Sequence, residues 1–215
     1  MATHPAPPRR DRLPRVPADQ RRAEILAAAL EVFGSRGYHK GGLTEIAERV
    51  GITHQGVLHH FGSKEQLLVE VLAYRDALDV QEYENQQPPY GPDLLRHLVD
   101  TARRNTQRKG LVQSYAVLSA ESVTEGHPAQ GSFRDRFTQL RELTADALRA
   151  SCPVDAMPSD KEIDAAASSI LALMDGLQVQ WLLDPDKVDM PYAVGLVIDA
   201  LLERVGSPSR IDNDL

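Results

Sequence analysis

Leu43-Thr44-Glu45-Ile46-Ala47-Glu48-Arg49-Val50-Gly51-Ile52-Thr53-His54-Gln55-Gly56-Val57-Leu58-His59-His60-Phe61-Gly62-Ser63-Lys64 reads as two short helices hinged at Gly51-Ile52-Thr53. Leu43, Ile46, Ala47 and Val50 fall on one side of the first helix, expected over Thr44 to Val50. Gly51 permits a tight turn, and Thr53 is a good N-cap for the second helix. Val57, Leu58 and Phe61 give that helix its apolar side. Ile46, Ala47, Ile52, Val57 and Leu58 would lock the pair against a preceding helix, with the small Ala47 where they cross. This is the sequence form of a helix-turn-helix.

Thr53, His54, Gln55, Gly56, His59 and His60 are left facing outward, hydrogen-bonding groups without a carboxylate among them. Such a surface suits phosphates and base edges. Gln55 has the geometry to read adenine bidentately, Thr53 to touch a thymine methyl or a phosphate, and Gly56 lets the backbone come close. Thr44, at the head of the first helix, and Lys64, at the positive end of the next, complete the candidate DNA-contact set. A metal site is not expected. His54 and His59 are five residues apart and His59 and His60 adjacent, whereas ligands on one helical face need a separation of three or four.

Outward from this core the pattern stays helical. Asp19 is a plausible cap for a first helix carrying Ile25, Leu26, Ala29, Leu30 and Phe33, with Gly34 and Gly37 expected to end it. Ser63-Lys64-Glu65-Gln66 reads as a capping box that starts a helix to about Leu78. Prolines place a loop at Gln86 to Pro92. Five further helices are expected, near 93–107, 110–123 and 129–150, from Ser159 to Leu183, and from Pro191 to Val205. No segment alternates with a period of two. The expected fold is therefore all-α with about nine helices. The expected divisions are an arm over 1–17, a helix-turn-helix domain over 18–64, a helical domain over 65–206 and a tail over 207–215.

Composition supports a globular chain. In 215 residues, 42% are hydrophobic and 26% charged, ordinary values for a packed protein. No apolar run reaches the roughly 20 residues a membrane helix needs, so no membrane partner is expected. Residues 1–17 carry five prolines, four arginines and no apolar leader, and read as a flexible basic arm. A single cysteine, Cys152, rules out an internal disulfide and fits a reducing cytoplasm. Charge is uneven. Residues 1–64 hold 10 Lys+Arg against 6 Asp+Glu, whereas the remainder holds 14 against 25. A basic front on an acidic body suggests that the front meets a polyanion.

From Ile25 to Leu68 the chain resembles the tetracycline-repressor (TetR) family of bacterial transcription regulators. The resemblance rests on Ile25 to Leu30, Phe33, Gly37-Tyr38, Ile46-Ala47, Val50 to Thr53, Gly56, Leu58, His60-Phe61 and Ser63 to Leu68. It extends more loosely to Leu173 to Leu177 and Trp181 to Pro185. It implies an N-terminal three-helix DNA-binding domain and a larger helical ligand-binding and dimerisation domain, a homodimer built on the last two helices, a near-palindromic double-stranded operator, and a small-molecule effector in the regulatory core whose binding releases DNA. Three positions depart from the pattern: His59 stands where a phosphate-contacting Tyr is usual, Gly42 where a capping Ser or Thr is common, and Gly62 where Pro or a polar residue is often found.

Candidate pocket residues are the aromatics Tyr115, Phe133, Phe137 and Trp181 with the polar His97, Gln113, Asp175 and Gln178. Candidate interface residues are Ile170, Leu173 and Leu177, then Val194, Val197, Ile198 and Leu201, because the last two helices carry more apolar surface than one bundle face needs. No phosphate loop, nucleophile elbow or ligand-spaced Cys/His cluster is present, so neither an enzyme nor a cofactor is expected. The alternative function class is a helical protein-interaction adaptor that does not bind DNA.

Overall fold

The structure, a computed structural model, describes residues 17–80, 89–153 and 157–204. The arm expected before Pro17, residues 86–88 of the proline-rich loop and the tail from 207 lie outside the described residues. Within them run nine α-helices and no strand: α1 (Ala18–Lys40), α2 (Leu43–Arg49), α3 (His54–Phe61), α4 (Lys64–Val80), α5 (Pro92–Asn105), α6 (Lys109–Ser122), α7 (Gln130–Ser151), α8 (Asp160–Leu183) and α9 (Met190–Arg204).

The helix starts follow local chemistry. Thr53 Oγ1 accepts from the Gly56 N–H at 3.1 Å, and Ser63 Oγ accepts from the Gln66 N–H at 3.1 Å. Ser159 and Glu162 form a reciprocal capping box at α8. Pro92 opens α5, where its missing N–H costs nothing.

One boundary differs from expectation. Gly34 does not end α1; the helix continues through it and kinks at Gly37, whose φ of 73° only glycine adopts readily. The reason is tertiary. Gly34 lies against α6 at Ser114, and Gly37 lies against Glu121, so that a Cβ on Gly37 would stand 2.1 Å from Glu121 Oε1. The kink turns the Tyr38 N–H toward Glu121 Oε2, to which it donates at 2.6 Å.

Two apolar clusters form the interior. The first joins Ile25, Ala29 and Phe33 of α1, Ile46 and Ala47 of α2, and Val57 and Phe61 of α3 to Leu67, Leu68 and Val71 of α4. It continues without a break into Tyr115 and Leu118 of α6, Ala129, and Phe133 of α7. The second gathers α5, the C-terminal half of α7, α8 and α9 around Leu95, Leu148, Ile163, Ile170 and Ile198. By composition α8 is apolar enough to cross a membrane, yet its Ile163, Ala167, Ile170 and Trp181 are buried in this second cluster, as in a core helix.

Candidate nucleic-acid interface

Helix α3 separates its faces cleanly. Val57 and Phe61 are buried, whereas Thr53, His54, Gln55 and His59 are exposed. Thr44, on α2, is exposed, and Gly56 and His60 are half-buried. Thr53 takes an extended conformation before the helix, and Gly51 supplies the turn with a φ of 68°. A Cβ on Gly56 would meet Ile52 and Thr53 Oγ1 at 3.5 Å, ordinary contact, so internal packing does not require glycine there.

Two consecutive arginines of α1 hold the unit together. Arg21 Nη1 donates to Val50 O at 2.8 Å, at the end of α2. Arg22 Nη1 donates to His60 O at 2.5 Å, near the end of α3. Arg22 also pairs with Glu70 of α4 and lies over the Phe61 ring, 4.2 Å from its centroid. Each guanidinium thus meets a carbonyl in the last turn of its helix, where positive charge is favoured. Sequence reasoning missed this role. The charge excess of the N-terminal region was read as facing a polyanion, but Arg21, Arg22, Arg36 and Arg49 all pair with glutamates within the chain.

Lys64 is half-buried. Its Nζ donates to His39 O at 3.4 Å and lies 4.5 Å from the Tyr38 ring centroid, and burial lowers its pKa. Tyr38 in turn donates to Glu65 Oε1 at 3.2 Å, and burial with that carboxylate raises its pKa to about 12.

A cavity of about 360 Å³ opens between α4, α5, α6, α7 and α8. Of the candidate pocket residues, His97, Tyr115, Phe137, Asp175 and Gln178 line it. The other three do not. Gln113 faces a separate groove beside α1, where its Nε2 donates to Gly34 O at 3.3 Å. Phe133 packs behind Tyr115 at 5.7 Å between centroids. Trp181 is buried in the core that α9 shares. Sequence reasoning also missed the cavity's charged corner. Asp76 Oδ1 accepts from Arg75 Nη1 at 3.0 Å and from Arg136 Nη1 at 2.7 Å. The signal was available, since Arg75 follows Val71 by four residues and Arg136 follows Phe133 by three, on buried faces. Burial pushes the Asp175 carboxyl up, against the opposing pull of a Tyr115 hydrogen bond and of Arg136 and Arg75. Burial and Asp175 together raise Tyr115 to about 12.

Four of the seven candidate interface residues need correction. Ile170, Val194 and Ile198 are buried within the subunit at 0–1% exposure, and Leu177 nearly so, because they form the inward stripes of α8 and α9. They have no surface to offer a second copy. Leu173, Val197 and Leu201 keep partial exposure. The outward apolar groups are instead Val179 and Leu183 of α8 and Tyr192 and Leu196 of α9, 48–83% exposed. They recur at spacings of four along each helix, one stripe round from the residues expected.

Comparison with known proteins places this geometry. Residues 25–71 match the family of bacterial regulatory proteins named for tetR, and residues 93–206 match the C-terminal region of BetI-type transcriptional repressors. The transcriptional repressor Rv3405c of Mycobacterium tuberculosis is 32% identical over 149 residues, 69% of each chain. The probable regulator ArpR of Pseudomonas putida is 27% identical over 198 residues, covering 86% of this chain and 91% of that one. The fold is also that of SmeT, a repressor of a Stenotrophomonas maltophilia multidrug efflux pump solved with triclosan. That match has a TM-score of 0.69 at 19% identity and covers 91% of this chain and 99% of the other.

Proposed function

The chain belongs to the TetR family of DNA-binding transcription regulators, and from that premise we propose that it is a homodimeric repressor released from its operator by a small molecule. In this reading α3 lies in the major groove, with Thr53, His54, Gln55, Gly56 and His59 toward the bases and Thr44, His60 and Lys64 toward the backbone. The observation that carries it is the exposed, acid-free outer face of α3 held on a buried inner face. Two copies paired through Val179, Leu183, Tyr192 and Leu196 would present two such helices to half-sites of a near-palindrome. SmeT, solved with triclosan, supports a small-molecule site in this fold. A cytoplasmic location follows from a DNA partner.

The effector would act through α4 and α6. Arg75 and Asp76 of α4 and Tyr115 of α6 line the cavity, while Leu67, Leu68 and Val71 of α4 pack in one cluster with α1 to α3 and Ser114 of α6 bonds to α1. A ligand that moves either helix therefore changes the seating of α1 to α3. The coupling needed is about 1–3 kcal/mol for a 5- to 150-fold change in operator affinity. The test is binding to duplexes that the full chain selects from a random pool. Retention of a selected duplex at salt that strips unselected DNA supports the proposal; equal loss of both overturns it.

A further inference from the structure

The cavity carries its own description of what fits it. Its walls are largely apolar, with Leu94, Leu98, Phe137, Leu140, Leu171 and Met174. Its charged lining, among the described residues, is Arg75, Arg104 and Arg136 against Asp76 and Asp175, with His97 beside them. Arg75 and Arg136 both donate to Asp76 Oδ1. Arg136 Nε is buried without a hydrogen-bond partner, and so is Oε1 of Gln178, a residue only 7% exposed. Buried polar atoms of this kind are rare in folded proteins and call for a partner. At about 30 Å³ per water the space would hold about a dozen.

A cationic ligand is poorly served. Cations in apolar pockets are held by open aromatic faces. Here both guanidinium groups already lie over the Tyr115 ring, with Cζ of Arg75 4.6 Å and of Arg136 5.5 Å from its centroid, which leaves Phe137 as the other ring of the lining, and the carboxylate of Asp76 already accepts from both arginines. An acidic ligand meets the opposite situation, the Arg136 guanidinium with a buried Nε–H to spare and Arg75 beside it.

Resting on the effector reading above, we propose that the cavity binds a mostly apolar organic anion, whose acidic oxygens lie against Arg136 and Arg75 and whose body carries one further polar group for Gln178. Asp175 faces the same space. Its neighbours are Arg75 of α4, Tyr115 of α6, Arg136 of α7 and, on its far side, Arg141 of α7. His97 and Arg104 of α5 close the opposite wall. An incoming anion favours the protonated form of Asp175, which burial already favours.

The experiment is calorimetric titration of the full-length protein with decanoate, decanamide and decyltrimethylammonium. Decanoate is expected to bind about tenfold or more tighter than decanamide, because charge-assisted hydrogen bonds are the stronger. Decyltrimethylammonium is expected not to bind measurably. Arg136→Met should bring acid and amide to near equality. Asp175→Asn, which keeps shape and removes a like charge, should tighten decanoate and leave decanamide unchanged. Gln178→Leu should tighten decanoate too, since a plain alkyl chain leaves the amide unpaired. No decanoate binding at millimolar concentration, an ammonium probe bound as tightly as the acid, or weaker decanoate binding by Asp175→Asn would each overturn the assignment. If Arg136→Met does not fold, the three probes on the unaltered protein still decide. Operator binding by the unliganded protein is scored separately. A protein that holds its duplex and prefers the cation loses this inference alone, whereas one that never holds a duplex loses the regulatory reading.

Discussion

Gly34 and Ser114 meet where α1 crosses α6 so closely that a Cβ on the glycine would lie 2.0 Å from the serine Oγ and 2.8 Å from its Cα. The Ser114 hydroxyl donates to Leu30 O at 3.0 Å, one turn back along α1, and lies 2.8 Å from Gly110 O. The next residue, Tyr115, is a wall of the cavity. One turn of α6 therefore touches both α1 and the cavity.

Gly34→Ala is expected to destabilise the protein despite replacing glycine in a helix. Alanine would gain about 1 kcal/mol of helix propensity at a neutral site. Here it collides with backbone, which cannot rotate away, and overpacking of this kind costs about 1–3 kcal/mol. Urea denaturation reads the net change. A more stable variant would show that α1 and α6 part easily.

Gly56→Ala is expected to do the reverse. The added methyl meets only ordinary contacts, so stability should hold or rise by up to about 1 kcal/mol. Affinity for the selected duplex should fall, because the methyl stands between backbone and groove. Unchanged affinity, measured by fluorescence anisotropy, would remove Gly56 from the contact surface.

Arg22→Ala strips the α3 end of its donor, leaves Glu70 without this partner and uncovers Phe61. A loss of about 1–3 kcal/mol is expected for a charged hydrogen bond of this sort. Faster amide exchange in α3 than in α8 would locate it. Uniform loss across the chain would mean that Arg22 does not act on α3 in particular.

Asp175 gives a pH signature. Its folded pKa lies above the ordinary 3.8, so the folded state holds its proton more tightly than the unfolded state does. The sign follows. Stability from this group is greatest below the unfolded value and is lost as pH rises through that value toward the folded one. Asp175→Asn should therefore be more stable than the parent at neutral pH, with the two converging below pH 3.8. A variant less stable at neutral pH would show that the Tyr115 hydrogen bond and the attraction of Arg136 and Arg75 outweigh burial.

How much of this was legible in the sequence depends on range. Thr53, Ser63 and Ser159 act on backbone a few residues away, and composition announces them. The inner face of α3 is legible for the same reason at Val57 and Phe61, whereas Leu58, expected beside them, is only half-buried. Gly34 was misread because its helix-breaking tendency is local, whereas its purpose, the approach of Ser114, spans 80 positions. Ile170, Val194 and Ile198 were set at an interface because α8 and α9 are apolar on two sides, and periodicity alone does not say which side faces inward. Arg75 and Arg136 were passed over because arginine is ordinarily exposed; only the cavity between five helices brings them to one aspartate.

The most direct measurement is selection of duplexes from a random pool by the full-length protein, repeated with Gln55→Ala. Two copies of α3 in successive major grooves should recover an inverted repeat with half-site centres about 10 base pairs, or a multiple of that, apart. Gln55→Ala should relax the preference at one position in each half-site and leave the others unchanged. Recovery of sequences without two-fold symmetry, or identical preferences from both proteins, would contradict the placement of α3 on DNA.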